Sequence, residues 1–208
     1  MTRITKIFLD LDDVLNDFTL SALEHVGCKV GPRDFHLYDP EWGFDIVRAA
    51  NSLLFPTKFR FSAYTFWQML DRTFWETVPM SKEADWLLNV CEALVGRKNV
   101  CILTAPTLET YVPSAKAKWI YDNLPTWLHK QFLIGPCKYM CASSEALLID
   151  DSDANVQAFR RAGGKALLYP RPWNSLHDLH PVQYIQSTLA TLFPHMEWVP
   201  LRFLRGAA

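Results

Sequence analysis

Three carboxylates fall within four residues near the start of the chain, at Asp10, Asp12 and Asp13, and a second acidic pair stands far away at Asp150 and Asp151. Each group directly follows an apolar run, Ile4 to Leu9 (with Lys6 inside it) and Ala146-Leu147-Leu148-Ile149. Acids at the end of a buried strand repel one another and are costly to desolvate unless a positive charge sits among them. Oxygen donors of this kind suit Mg2+, which keeps waters that a substrate can displace. A metal there would also let an anionic phosphate approach anionic aspartates. Asp10 could then attack phosphorus and form an aspartyl-phosphate. Asp12, two residues on, could protonate the leaving oxygen and later deprotonate water. Thr104, with the neighbouring backbone at Ala105, offers a hydroxyl and N–H groups to phosphoryl oxygens, and Lys138 offers a point charge to those oxygens and to Asp10. Taken singly, these residues have ordinary readings: an acidic turn, a strand-end threonine, a solvated lysine, a helix-capping region. Only their convergence would make a site.

The elements that must bring them together are visible as alternating patterns. Short buried strands are expected at Ile4–Leu9, Val100–Leu103, Phe132–Ile134, Ala146–Ile149 and Ala166–Leu168. Helical stretches lie between and after them, at 16–26, 81–95, 113–124, 155–162 and 181–192, with coil after that. Gly27 or Gly31-Pro32 stops the first, Ser81 and Gly96 frame the second, and Gly163-Gly164 closes the helix before the fifth strand. Strands alternating with helices predict a parallel sheet covered on both faces, an α/β fold, in which every strand C-terminus opens on the same edge. Asp10 and Asp12, Thr104, Lys138, and Asp150 and Asp151 are thereby delivered to one place.

Residues 17–80 break this rhythm. They are rich in aromatics, among them Phe35, Tyr38, Trp42, Phe44, Phe55, Phe66, Trp67, Phe74 and Trp75, and Pro32, Pro40 and Pro56 cut them into short pieces. Helices near 41–54 and 62–72 would form a small helical lobe, most of whose rings serve as its own core. The expected organisation is a core of 1–16 and 81–208 with an inserted lobe at 17–80.

Composition narrows the function. Half of the 208 residues are hydrophobic and the formal charge is −1, so no basic surplus exists to hold a long nucleic acid. No apolar run nears the ~20 residues of a membrane span, and Met1-Thr2-Arg3 leads directly into the first strand without room for a signal peptide, which predicts a cytoplasmic protein. Five cysteines without a CxxC pair read as reduced thiols, and Cys137 and Cys141 lack a second pair with which to bind metal. The six histidines show no ligand spacing.

In combination, Asp10-Leu11-Asp12-Asp13-Val14, Thr104, Lys138 and Leu147-Leu148-Ile149-Asp150-Asp151 resemble the haloacid dehalogenase (HAD) superfamily of phosphohydrolases. Within it, Asp12 to Phe18, Thr104-Ala105-Pro106, Leu148 to Asp151, and the stretch from Ala162-Gly163-Gly164 to Pro172-Trp173-Asn174 are similar to the 5′(3′)-deoxyribonucleotidases and related bacterial or phage proteins. The resemblance implies a three-layer sheet with strand order 5-4-1-2-3 and a helical cap after the first strand. It implies Mg2+ held by Asp10, the Asp12 backbone carbonyl and Asp151, with Asp150 in the outer shell. It places Phe18 where a base-contacting aromatic belongs and Trp67, Phe74 and Trp75 where the cap supplies others, so that a flat base would sit between rings. Two departures stand out. Asp13 replaces the usual glycine, and Lys138 precedes Asp150 by a longer interval than the pattern has, which keeps Lys116 and Lys118 open as alternatives.

The expected function is a Mg2+-dependent phosphomonoesterase of small nucleotides, deoxyribonucleoside monophosphates foremost. A sugar phosphate, a nucleic-acid terminal phosphate, or a non-catalytic role in binding a nucleotide or a protein are the competing readings, and assembly as a homodimer stays open.

Overall fold

Four of the five strands lie in strongly apolar runs too short to make helices, and a buried strand needs neighbours on both sides to pair its backbone. The computed structural model, which describes residues 3–31, 34–57 and 59–196, meets that need with one sheet. Strands β1 (Lys6–Leu9), β2 (Val100–Thr104), β3 (Phe132–Ile134), β4 (Ala146–Asp150) and β5 (Lys165–Leu168) pair in parallel in the order β3-β2-β1-β4-β5. This is the order implied by the resemblance. Register fixes the functional edge: Leu9 lies level with both Ile102 and Ile149, so the residues just beyond them emerge together.

The period-2 alternation of the strands divides the core. Ile7, Leu9, Ile102, Leu147 and Ile149 enter the larger cluster, joined by α5 (Ala84–Val95), α6 (Val112–Asn123) and α8 (Pro181–Leu192). Leu103, Leu148, Ala166 and Leu168 point to the opposite face, where Val156 and Phe159 of α7 (Asp153–Arg161) cover them and Phe8 packs alongside. The result is the expected α/β/α layering. Gly164 allows the tight return into β5, because a Cβ there would stand 2.3 Å from the Phe159 ring.

Between β1 and α5 the chain forms α1 (Phe18–His25), α2 (Ile46–Leu53), α3 (Ala63–Met69) and α4 (Arg72–Thr77). Two details differ from the periodicity. The helix expected at 41–54 begins only at Ile46, because Pro40–Trp42 is a 3-10 turn ended by Gly43 at φ 58° and Asp45 then caps a fresh start through the Arg48 N–H. The helix expected at 62–72 divides at Leu70, since the Asp71 carboxylate takes the Phe74 N–H and nucleates α4. Ser81 also differs from its expected role: its hydroxyl donates to Glu83 Oε2 (2.7 Å), and α5 starts at Ala84. The coil expected after Leu192 lies largely in 197–208, outside the described residues.

Candidate active site

Asp10 follows β1 and reaches the floor of a cavity of about 300 Å³. Its Oδ1 accepts from the Leu11 N–H (2.7 Å) and pairs with Lys138 Nζ (2.7 Å). Oδ2 has no hydrogen bond among the described residues. Lys138, in a 3-10 turn after β3, is itself buried and also pairs with Asp150 Oδ2 at 2.7 Å. Burial alone would lower the pKa of this ammonium, but attraction to Asp10 and Asp150 outweighs it and holds the pKa above the ordinary lysine value. Asp10 is pushed up to about 7, chiefly by burial, with Lys138 opposing and the nearby Asp150 and Asp12 charges adding to the rise.

Asp150, at the end of β4, spends both oxygens within the protein. Oδ1 accepts from the Ser152 N–H (2.9 Å) and Asn155 Nδ2 (3.1 Å), and Oδ2 from Lys138. Asp151 lines the cavity, and burial together with repulsion from Asp13, Asp150 and Asp10 raises its pKa well above the ordinary carboxylate value. Asp10, Asp150 and Asp151 each present an oxygen within 4.8 Å of the others. Three carboxylates so close, with one ammonium between them and hard oxygen donors throughout, form a set that could hold a divalent cation such as Mg2+.

Asp12 is the more open acid. Its Oδ2 pairs with Lys116 Nζ and its Oδ1 accepts from Asn16 Nδ2 at 3.2 Å. Of the three lysines left open by the sequence, two reach the acidic loop and do different work: Lys138 pairs with Asp10 and Lys116 with Asp12. Lys116 Nζ also donates to Thr104 Oγ1 (2.9 Å) and to the Ala105 carbonyl (2.6 Å). Lys118 turns away and pairs with Asp122 (2.5 Å) on the surface. The pattern that marks Lys116 is legible in retrospect. Val112, Ala115, Trp119 and Ile120 form the buried stripe of α6, and position 116 falls inside it while 118 does not.

Thr104 does not face the cavity among the described residues. It is fully buried, and Ala105, Pro106 and Thr107 line the wall in its place. Asp13, the residue at the expected glycine position, adopts φ 60°. Aspartate tolerates this left-handed turn better than most residues do. Its carboxylate accepts from the Thr19 N–H (2.9 Å) and hydroxyl (2.6 Å), which caps α1 from within the acidic loop. Burial, opposed by those two hydrogen bonds, pushes Asp13 up to about 7.

The cavity walls are aromatic: Phe18, Tyr38, Phe44, Trp67, Trp75 and Trp173. Of the four rings singled out in the sequence, Phe18, Trp67 and Trp75 line it and Phe74 does not. The Phe74 ring packs edge-on behind Phe18 (centroids 5.9 Å apart) and Trp75 (5.7 Å). Nor does a gap exist between the expected rings. Phe18 lies nearly parallel to Trp75 at 4.9 Å and to Trp67 at 6.2 Å, and rings at such distances already touch. Tyr38, Phe44 and Trp173 escaped the sequence reading because nothing local distinguishes a wall ring from a core ring.

No protein-family model matches the chain, and a search of curated proteins finds no significant match. Solved structures do match. A HAD-family hydrolase from Deinococcus radiodurans R1, with bound phosphate and sodium, superposes with a TM-score of 0.54 at 17% identity, over 92% of this chain and 97% of that one. A conserved haloacid dehalogenase-like protein from Agrobacterium tumefaciens gives 0.56 at 14% identity, over 91% and 99%. At such identities the likeness is one of architecture, over 91–92% of this chain: the chain has the fold of HAD-like hydrolases.

Proposed function

We propose that the chain is a Mg2+-dependent phosphomonoesterase of small nucleotides, deoxyribonucleoside monophosphates foremost, working through a phosphorylated Asp10. The observation that carries the reading is the division of labour between two lysine–aspartate pairs whose aspartates both line one cavity. Asp10 Oδ1 is fixed by Lys138 and the Leu11 N–H, so Oδ2 is the oxygen left to attack phosphorus. As the Oδ2–phosphorus bond forms, the ester oxygen leaves and Asp12 supplies its proton. Asp12 then takes a proton from the water that cleaves the acyl phosphate and returns Asp10. Lys116 and Asn16 hold Asp12 where both transfers occur. Mg2+, bound by Asp10 and Asp151 with the Asp12 carbonyl and with Asp150 behind them, would neutralise the phosphoryl oxygens.

Helices α1–α4 act as the cap in this reading. The nucleotide part rests on cavity size and walls. About 300 Å³ lies at the small end of ligand sites, which run from roughly 300 to 1,000 Å³. A base would lie against the faces of Trp67, Tyr38 and Phe44 rather than between Phe18 and Trp75. The likeness to a hydrolase crystallised with phosphate adds support for the reaction class. A phosphate-release screen over nucleotides and sugar phosphates, with and without Mg2+, tests it. Mg2+-dependent release with nucleotides preferred is expected. Preference for sugar phosphates would remove the base, and no release from any ester would remove the phosphatase.

A further inference from the structure

Nothing in that chemistry uses Tyr169-Pro170-Arg171-Pro172-Trp173-Asn174, the segment that follows β5, although five of its six residues are buried at the functional edge. Its side chains grip both acidic loops. Trp173 Nε1 donates to Asp151 Oδ2 at 2.6 Å, and Asn174 Nδ2 donates to the Asp151 carbonyl (2.9 Å) and back to the Tyr169 carbonyl (2.8 Å). Arg171 Nε donates to the Asp13 carbonyl (2.7 Å), with its guanidinium packed 4.9 Å from the Phe35 ring and 4.7 Å from the Tyr169 ring. One short stretch thus ties the loop after β1 to the loop after β4.

We propose that Trp173 is a positioning residue for the metal site: its indole N–H occupies one oxygen of Asp151 and turns the other toward Asp10 and Asp150. The inference rests on the metal reading above. An indole N–H is a donor with no acceptor capacity, so it can orient a carboxylate without competing for a cation. Metal ligands are commonly held by such partners, and losing one typically weakens metal binding 10- to 100-fold. Arg171 and Asn174 set the spacing of the two loops within which this orientation has effect. The alternative role for Trp173 is packing alone, since its ring also meets Tyr38 at 5.2 Å and Phe35 at 6.2 Å.

Trp173→Phe separates the two, because it keeps a ring and removes the donor. The readout is the rise in melting temperature during a MgCl2 titration without substrate, which gives an apparent Mg2+ dissociation constant. We expect that constant to rise roughly tenfold or more in W173F. A W173F response equal to that of the wild type, whatever the basal melting temperature, overturns the proposal alone. A wild type that shows no Mg2+ response overturns the metal reading, and the proposal with it. If W173F does not fold, benzothienylalanine at position 173, which preserves the bicyclic shape without the N–H, takes its place with the same two outcomes.

Discussion

Trp67 and Phe74 carry similar chemistry on either side of the α3–α4 junction at Leu70, yet they stand in different environments. Trp67 is half-buried on the cavity wall, and Phe74 is buried behind Phe18. Base stacking on an aromatic face is worth roughly 1–3 kcal/mol, which is about tenfold in affinity per 1.4 kcal/mol. Trp67→Ala should raise KM for a nucleotide about tenfold and leave a small artificial phosphate ester nearly unchanged. Phe74→Ala should instead lower stability by about 3–5 kcal/mol, as truncation of a core ring does, with both substrates affected alike. Steady-state kinetics on both esters, with melting curves alongside, check this. Equal loss on nucleotide and artificial ester in W67A would end the stacking idea. Sequence marked the aromatic richness of this region but not the direction of any ring, because core and wall positions draw on the same residue types.

Helix α6 shows what an element adds to a residue. Lys116 and Lys118 are two positions apart, which on a helix means different faces. One side chain is buried against Asp12 and Thr104, and the other pairs with Asp122 in solvent. Lys116→Met should cost about 10²-fold or more in turnover, the usual scale of an acid–base contribution, because Asp12 loses the partner that holds it. Lys118→Met should leave turnover unchanged and stability within about 0.5 kcal/mol. Phosphate-release rates of both variants decide the assignment, and loss of turnover in K118M but not K116M would reverse it. The strands and most helix limits were legible from apolar runs and stops such as Gly27 and Gly96. The split at Leu70 was not, since the apolar pattern runs through it and only the Asp71 cap interrupts the backbone. The Trp173–Asp151 bond was equally invisible, because 22 residues and a crossover separate its partners.

At the scale of the whole molecule, the buried acids make stability depend on pH and metal together. Asp10 and Asp13 titrate near 7 in the folded chain against ordinary values of 3.8. Between those values the folded state binds more protons than the unfolded state, so stability of the metal-free protein falls as pH rises through that window. Below it both states are protonated, above it neither is, and the dependence flattens. Mg2+ bound at the proposed site would hold Asp10 deprotonated and offset part of that loss, so its stabilising effect should be larger at pH 8 than at pH 5. Melting temperatures at both pH values, with chelator and with MgCl2, test the sign, and a metal-free protein that melts higher at pH 8 would contradict it. Asp10 meets Asp150 and Asp151 because the parallel register sets Leu9 level with Ile149. The most direct measurement is phosphate release from a deoxyribonucleoside monophosphate with Mg2+ by the wild type and by Asp10→Asn. An amide can neither attack phosphorus nor bind the metal as an anion, and losing a covalent nucleophile can remove many powers of ten in rate. Turnover by the wild type and none by a folded D10N protein is the predicted result. Release by D10N at near the wild-type rate would contradict it.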